Sequence, residues 1–235
     1  MTQLTRQIAA LAALLLATAA APAAAARSVP PAAVGLSEPV RVELYMEALC
    51  PYCANFTLTG LAPLFESKLS NYVQLDVIPW GNARVDADGA VQCQHGPLEC
   101  ALNKLLSCAL ALEPEQDDWF PFLSCAEDLA LKNAKRKPMP EEVAGVCGKH
   151  AGMPPGKLIA CLKGELGDSL QRLARERTES LQPAHRWVPW LVVNGIPVND
   201  IDSVATYICV ALGAHEWPEA CKHLPVPEED TLAPA

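Results

Sequence analysis

The spacing of apolar and polar positions along this chain changes period several times. Val42-Glu-Leu-Tyr-Met46 alternates, which predicts a strand over 41–48. Residues 54–69 follow a helical period interrupted by Gly60 and Pro63, so a helix broken or bent near those two positions is expected. Tyr72-Val-Gln-Leu-Asp-Val-Ile78 predicts a second strand, ended by Pro79-Trp80-Gly81. From about 82 to 182 the pattern becomes helical: 97–112, 118–134, 140–149 and 155–180 predict helices separated by Pro and Gly. Strand character returns in Trp190-Leu-Val-Val193 and Ile196-Pro-Val198. Asn194-Gly195 between them is a hairpin signal, because both residues tolerate positive φ. A last helix is predicted from about Asp200 to Leu212, capped by Asn199 or Asp200 and stopped by Gly213.

The order β, α, β, helical block, β-hairpin, α is that of thioredoxin with helices inserted after the second strand. The expected fold is therefore α/β and thioredoxin-like, with a large disulfide-bearing helical insertion at about 82–182. In thioredoxin-like proteins a cis proline stands immediately before the third strand. Pro189 holds that place here, so a cis Val188–Pro189 bond is expected.

The ends read differently. Residues 1–26 carry Arg6, an apolar run from Ile8 to Ala21 and small residues ending at Ala24-Ala25-Ala26, the pattern of a secretory signal peptide. The run is too short and Ala-rich for a membrane anchor, and no other segment is a transmembrane candidate. Residues 27–39 read as a Pro/Ala linker, 40–222 as the folded domain and 223–235 as a disordered acidic tail. Loss of the signal would move the net charge from −9 to −10, with only Arg6 removed. An acidic chain without a broad basic face argues against nucleic-acid binding. The one basic run, Lys132 to Lys137, reads as a solvated helix end and loop.

Ten cysteines behind a secretory signal imply an oxidising compartment and a disulfide framework. Cys50-Pro51-Tyr52-Cys53 stands apart, between a strand and a helix start. There a two-residue spacing lets a dithiol open and close, and free N–H groups favour a thiolate at Cys50. Of the other eight, Cys93, Cys100, Cys108, Cys125, Cys147 and Cys161 form an even group in the helical block, and Cys209 and Cys221 a pair near the C-terminus. Three bridges within the six plus Cys209–Cys221 are expected, with the connectivity of the six open. Cys93, His95, Cys100 and Cys108 could alternatively hold zinc, but the compartment and the even count favour disulfides, and no metal is expected.

The run Cys93-Gln94-His95-Gly96-Pro97-Leu98-Glu99-Cys100-Ala101-Leu102-Asn103-Lys104-Leu105-Leu106-Ser107-Cys108 fits CQHGxxECxxNxxxxC throughout. It resembles the signature of the gamma-interferon-inducible lysosomal thiol reductase family. Glu47-Ala-Leu-Cys-Pro-Tyr-Cys53 is similar to that family's active-site segment, and Val188-Pro-Trp-Leu-Val-Val-Asn-Gly195 to its proline segment. The resemblance spans about residues 40–222. It implies an enzyme that reduces disulfides in protein substrates in a lysosome or vacuole, or after secretion, with Cys50 and Cys53 as redox cysteines.

On this reading the Cys50 thiolate attacks the substrate and Cys53, one turn deeper, resolves the mixed disulfide. Pro189, with Pro51 and Tyr52, supports the site. No cofactor is called for; electrons come from a small-molecule or protein thiol. Activity near pH 5 requires a depressed Cys50 pKa, supplied in large part by the helix N-terminus. Glu47 either exchanges protons with Cys53 or is a plain surface acid. His95 either helps bind substrate or thiol, or is structural. Asn55-Phe56-Thr57 is the one glycosylation sequon. Of Trp187 and Trp190, one could border a peptide groove, while core packing claims at least one. The rival functions are a secretory disulfide oxidase or isomerase and a non-catalytic, disulfide-stapled binding module.

Overall fold

The computed structural model describes residues 38–213 and 217–222. The expected signal peptide, all of the linker but Glu38 and Pro39, and the acidic tail lie outside them.

A four-stranded sheet forms the centre. Strand β1 (Val40–Met46) pairs in parallel with β2 (Val73–Pro79) and antiparallel with β5 (Trp190–Val193), which turns through Asn194-Gly195 into β6 (Ile196–Val198). Both turn residues adopt positive φ, 48° and 82°, as the Asn-Gly signal requires. The alternation of β1 divides its side chains between two cores. Val42, Leu44 and Met46 join the larger one with Phe56, Leu75, Leu191 and Ile208. Tyr45 joins the smaller one on the opposite face, with Ile78, Trp190, Val192 and Ala174.

The helix that follows the dithiol is bent where Gly60 and Pro63 were expected to bend it. Helix α1 (Pro51–Phe56) passes through a single π-type turn, Thr57–Leu61, into α2 (Ala62–Glu66). Pro63 has no N–H to close an α-helical bond, so the widened turn takes up the mismatch. A two-stranded ribbon, β3 (Arg84–Val85) with β4 (Val91–Gln92), then leads to the insertion. The sequence pattern did not predict it; two-residue strands are too short to show a period.

The insertion comprises α3 (Pro97–Leu112), α4 (Gln116–Lys132), α5 (Pro140–His150), α6 (Pro155–Lys163) and α7 (Glu165–Glu179). The single helix expected over 155–180 is two. Gly164 breaks it with extended backbone (φ −108°, ψ 174°), and a Cβ there would stand 2.9 Å from the Ala160 carbonyl oxygen. Three disulfides tie the block: Cys93–Cys100, Cys108–Cys161 between α3 and α6, and Cys125–Cys147 between α4 and α5. Cys209–Cys221 joins α8 (Val204–Leu212) to the C-terminal turn. The last helix starts later than expected: residues 201–203 form a 3₁₀ turn, so neither Asn199 nor Asp200 caps α8, while Gly213 ends it at φ 76°. Among the described residues, no helix is long and apolar enough to cross a membrane.

Candidate active site

Cys50 and Cys53 are the free cysteines. Leu49, in the left-handed region at φ 67°, turns the chain so that Cys50 becomes the N-cap of α1, with Pro51 in its first turn. The Cys50 sulfur accepts the Cys53 N–H at 3.5 Å. Cys50 is buried although it stands at the start of the helix. Only 5% of it is accessible, whereas Tyr52 beside it is 75% exposed; Cys53 is fully buried. The Val188–Pro189 bond is cis, as expected, and so is Gln182–Pro183, which was not foreseen. Since Trp190 pairs with Tyr45, Pro189 comes level with the end of β1 that leads into Glu47 and the dithiol. Trp190 packs in the smaller core, while Trp187 is 45% exposed beneath the Arg186 guanidinium.

The two sulfurs are driven apart electrostatically. Hydrogen bonding from the Cys53 thiol is the largest influence on Cys50. Together with the Cys53 and Tyr52 N–H groups and the nearby His95, it outweighs burial and lowers the Cys50 pKa to about 6. The helix N-terminus therefore contributes, but the neighbouring thiol contributes more. Burial, and then the same thiol–thiol bond, push Cys53 well above its ordinary value. One sulfur is poised as thiolate and the other held as thiol.

Glu47 is not a surface acid: it is 1% exposed. Its backbone N–H faces the Cys53 sulfur. Its Oε2 accepts the Asn82 N–H at 2.7 Å. The carboxylate fits because position 81 is glycine at φ 60°; a Cβ there would collide with the Glu47 side chain. Burial raises the Glu47 pKa to about 7 despite the Asn82 bond, and the charges of Glu99 and Cys50 add to the rise.

The polar positions of the signature run converge on this acid and the residue after it. His95 Nδ1 lies 2.7 Å from Glu99 Oε2 and 3.5 Å from Glu47 Oε1. Gln94 Oε1 accepts from Asn82 Nδ2 at 2.6 Å. Asn103 Oδ1 accepts the Ala48 N–H at 2.7 Å. Gly96 turns at φ 92° between His95 and α3, and the Cys93–Cys100 bridge closes the loop. His95 thus bridges two buried acids beside the site. Cys93, Cys100 and Cys108 are all in disulfides, which rules out the four-ligand zinc alternative. Glu47, His95 and Glu99 each place one ligand atom within 4.8 Å of the others, with His95 and Glu99 hydrogen-bonded.

Sequence reasoning missed Gly81, Asn82 and Glu127. Glu127, on α4, is 2% exposed with an unpaired Oε2. Burial, and secondarily the Cys50 charge, raise its pKa to about 8. A signal existed: Phe120, Leu123, Glu127 and Ala130 lie on one buried helical stripe. The sequon is ill placed for modification after folding, because Thr57 is fully buried and the Asn55 amide lies 3.4 Å from Thr59 Oγ1.

A thioredoxin-like sheet that carries a reduced CxxC pair at the strand-to-helix junction and a cis proline beside it defines a thiol-disulfide oxidoreductase. Solved structures bear out the fold. The chain resembles BdbD from Bacillus subtilis (TM-score 0.58, 16% identity, 76% of this chain and 90% of that one). It also resembles MdbA, a thiol-disulfide oxidoreductase from Corynebacterium diphtheriae (TM-score 0.54, 16% identity, 75% and 86%). The family model for gamma interferon inducible lysosomal thiol reductase matches residues 41–151. Among relatives, the chain is 32% identical to the gamma-interferon-responsive lysosomal thiol protein of Arabidopsis thaliana, over 80% of this chain and 77% of that protein. It is 30% identical to the gamma-interferon-inducible lysosomal thiol reductase of Mus musculus, over 80% and 74%. The chain belongs to the gamma-interferon-inducible lysosomal thiol reductase family.

Proposed function

We propose that this thiol reductase uses Cys50 as nucleophile and Cys53 as resolving thiol to reduce disulfides in protein substrates. The Cys50 thiolate attacks one sulfur of a substrate disulfide. A Cys50–substrate bond forms, and the other substrate sulfur leaves as a thiolate that takes up a proton. Cys53 then loses its proton and attacks Cys50, releasing the second substrate thiol and leaving Cys50–Cys53 oxidised. Two electrons pass to the substrate. A small-molecule or protein thiol outside the chain restores the pair, so the cycle calls for no organic cofactor and no metal.

The observation that carries this reading is the opposed poise of the two sulfurs. At pH 5 a thiol with a pKa of about 6 is about one-tenth thiolate, against roughly one part in ten thousand for a pKa of 9. Glu47 supports the resolving step as proton acceptor for Cys53. Once Cys50 is tied up in the mixed disulfide its negative charge is gone, and one of the influences holding Glu47 protonated goes with it. Low-pH competence fits the names of the lysosomal relatives, and we place the protein in the secretory route, toward a lysosome or vacuole or the exterior.

Trapping tests the assignment. Cys53→Ser, mixed with a disulfide-bearing protein at pH 5, is expected to accumulate a mixed disulfide at Cys50, resolved by added thiol. Cys50→Ser should accumulate none. Equal trapping by the two variants would reverse or remove the assigned roles.

A further inference from the structure

Beside the dithiol, a shallow groove of about 100 Å³, open to solvent, runs between α1 and the C-terminal end of α4. Its lining is almost wholly apolar: Leu49, Pro51, Ala54, Ala130, Leu131 and Ala134, with Cys50 in the wall. Leu131 is 41% exposed, an apolar side chain left to solvent at the edge of the groove. Among the lining residues there is one charge, Lys137, in a chain whose net charge is −9. Its ammonium reaches the His95 carbonyl oxygen at 3.2 Å, which uses one of its three donors and leaves two for an incoming acceptor.

Two residues that line this groove hold backbone conformations unfavourable for side-chain-bearing residues: Leu49 at φ 67° and Lys137 at φ 57°. Lys137 also precedes Pro138, a position from which the proline ring normally drives the backbone toward extended geometry. Such conformations persist only where surrounding structure enforces them, and they concentrate where a ligand is gripped. Leu49 aims the reactive sulfur into the groove wall. Lys137 ends the helical turn, with its N–H on the Asn133 carbonyl at 2.7 Å, and lines the same groove as Cys50.

We propose that this groove seats the stretch of substrate chain next to the cysteine that Cys50 attacks, with an apolar side chain on the Leu49, Ala54, Ala130 and Leu131 surface and an acidic side chain on Lys137. The inference rests on Cys50 being the attacking sulfur and adds to it a sequence preference. At about 100 Å³ the groove is smaller than a small-ligand pocket and suits a single side chain of an extended segment. The apolar lining supplies burial, and the lone cation, in a site without a carboxylate of its own, supplies the complementary charge.

The test uses two peptides, each carrying leucine next to a cysteine in a mixed disulfide with the same small thiol. One has aspartate and the other lysine two residues from that cysteine. Hydroxyethyl disulfide, which has no side chains, is the reference substrate. The wild type is expected to favour the aspartate peptide about tenfold in kcat/KM. Lys137→Glu should abolish or invert that ratio, while Lys157→Glu, an equal charge change outside the groove, should preserve it. Ala134→Trp, which fills the groove from an exposed position, should lower kcat/KM for both peptides at least tenfold relative to hydroxyethyl disulfide. An unchanged ratio in Lys137→Glu, or equal losses on peptides and reference in Ala134→Trp, overturns the groove assignment. A wild type that reduces the reference but shows no preference between peptides also overturns it. A wild type inactive on all three overturns the reductase chemistry beneath it.

Discussion

In the sheet region the two cysteines stand one helical turn apart with free sulfurs. In the helical insertion all six are joined in disulfides. Yet the reactive pair is not a product of the sheet region alone. The strand-to-helix junction supplies the N–H groups that face Cys50, while the insertion supplies His95 and Glu99 against Glu47, Asn103 against the Ala48 backbone, and Glu127 near both sulfurs. The locked cysteines hold the frame rigid, so that the polar groups surrounding the unlocked ones stay in place. What distinguishes a reactive cysteine from a structural one here is a partner within bonding reach at a fixed helix start, with acids arranged around it.

This contrast makes graded predictions. Cys50→Ser should lower turnover by at least about a thousandfold, because the remaining free sulfur, Cys53, is fully buried and held as a thiol; Cys125→Ser with Cys147→Ser should retain turnover on a small disulfide. Substantial reduction by Cys50→Ser would break the division of labour between the regions. Removal of the Cys125–Cys147 bridge, 22 residues apart in sequence, should instead cost about 3 kcal/mol in denaturant unfolding of the oxidised protein.

The buried acids give a smaller effect with a defined sign. Glu127, at about 8, and Glu47, at about 7, both have folded pKa values raised above their unfolded ones. The stability they contribute is fully present below about pH 4.5 and is lost as pH rises toward 7 and 8. Cys50, lowered to about 6, acts in the opposite direction and offsets part of this loss as pH rises above 6, while the upward shift of Cys53 matters only near and above the ordinary thiol value. The reduced protein should therefore be more stable at pH 5 than at pH 8. Glu127→Gln should remove roughly 2 kcal/mol of that difference, measured by urea unfolding at the two pH values. A flat wild-type profile would show that these acids are solvated. Smallest is the effect of Glu47→Gln. It should slow resolution of the mixed disulfide about tenfold, about 1.4 kcal/mol, while leaving its formation nearly unchanged in stopped-flow measurements at pH 7, where Glu47 is part-ionised.

The fold was largely legible because its signals are local. The alternation of Val42 to Met46, the Asn194-Gly195 turn and the Pro-bounded start of α3 each act through residues next to one another. The dithiol was legible for the same reason. Its surroundings were less so, because they depend on long-range approach. Asn82 bonds a carboxylate 35 residues earlier in the chain, and Gly81 matters through what its missing side chain admits. Glu47 could be named but its role stayed open, since an acid three residues before Cys50 reads either as a proton partner of Cys53 or as a surface acid until the insertion is folded over it. The split between α6 and α7 was hidden by a helical period that continues across Gly164.

The central claim is that Cys50 is poised as a thiolate in acidic conditions. It is tested most directly by the rate of iodoacetamide alkylation at Cys50 in the fully reduced protein, followed by mass spectrometry from pH 4 to pH 10. The structure predicts a single rise centred near pH 6, with Cys53 unreactive until far higher pH. A Cys50 midpoint above pH 8, or alkylation of the two sulfurs in parallel, would contradict it.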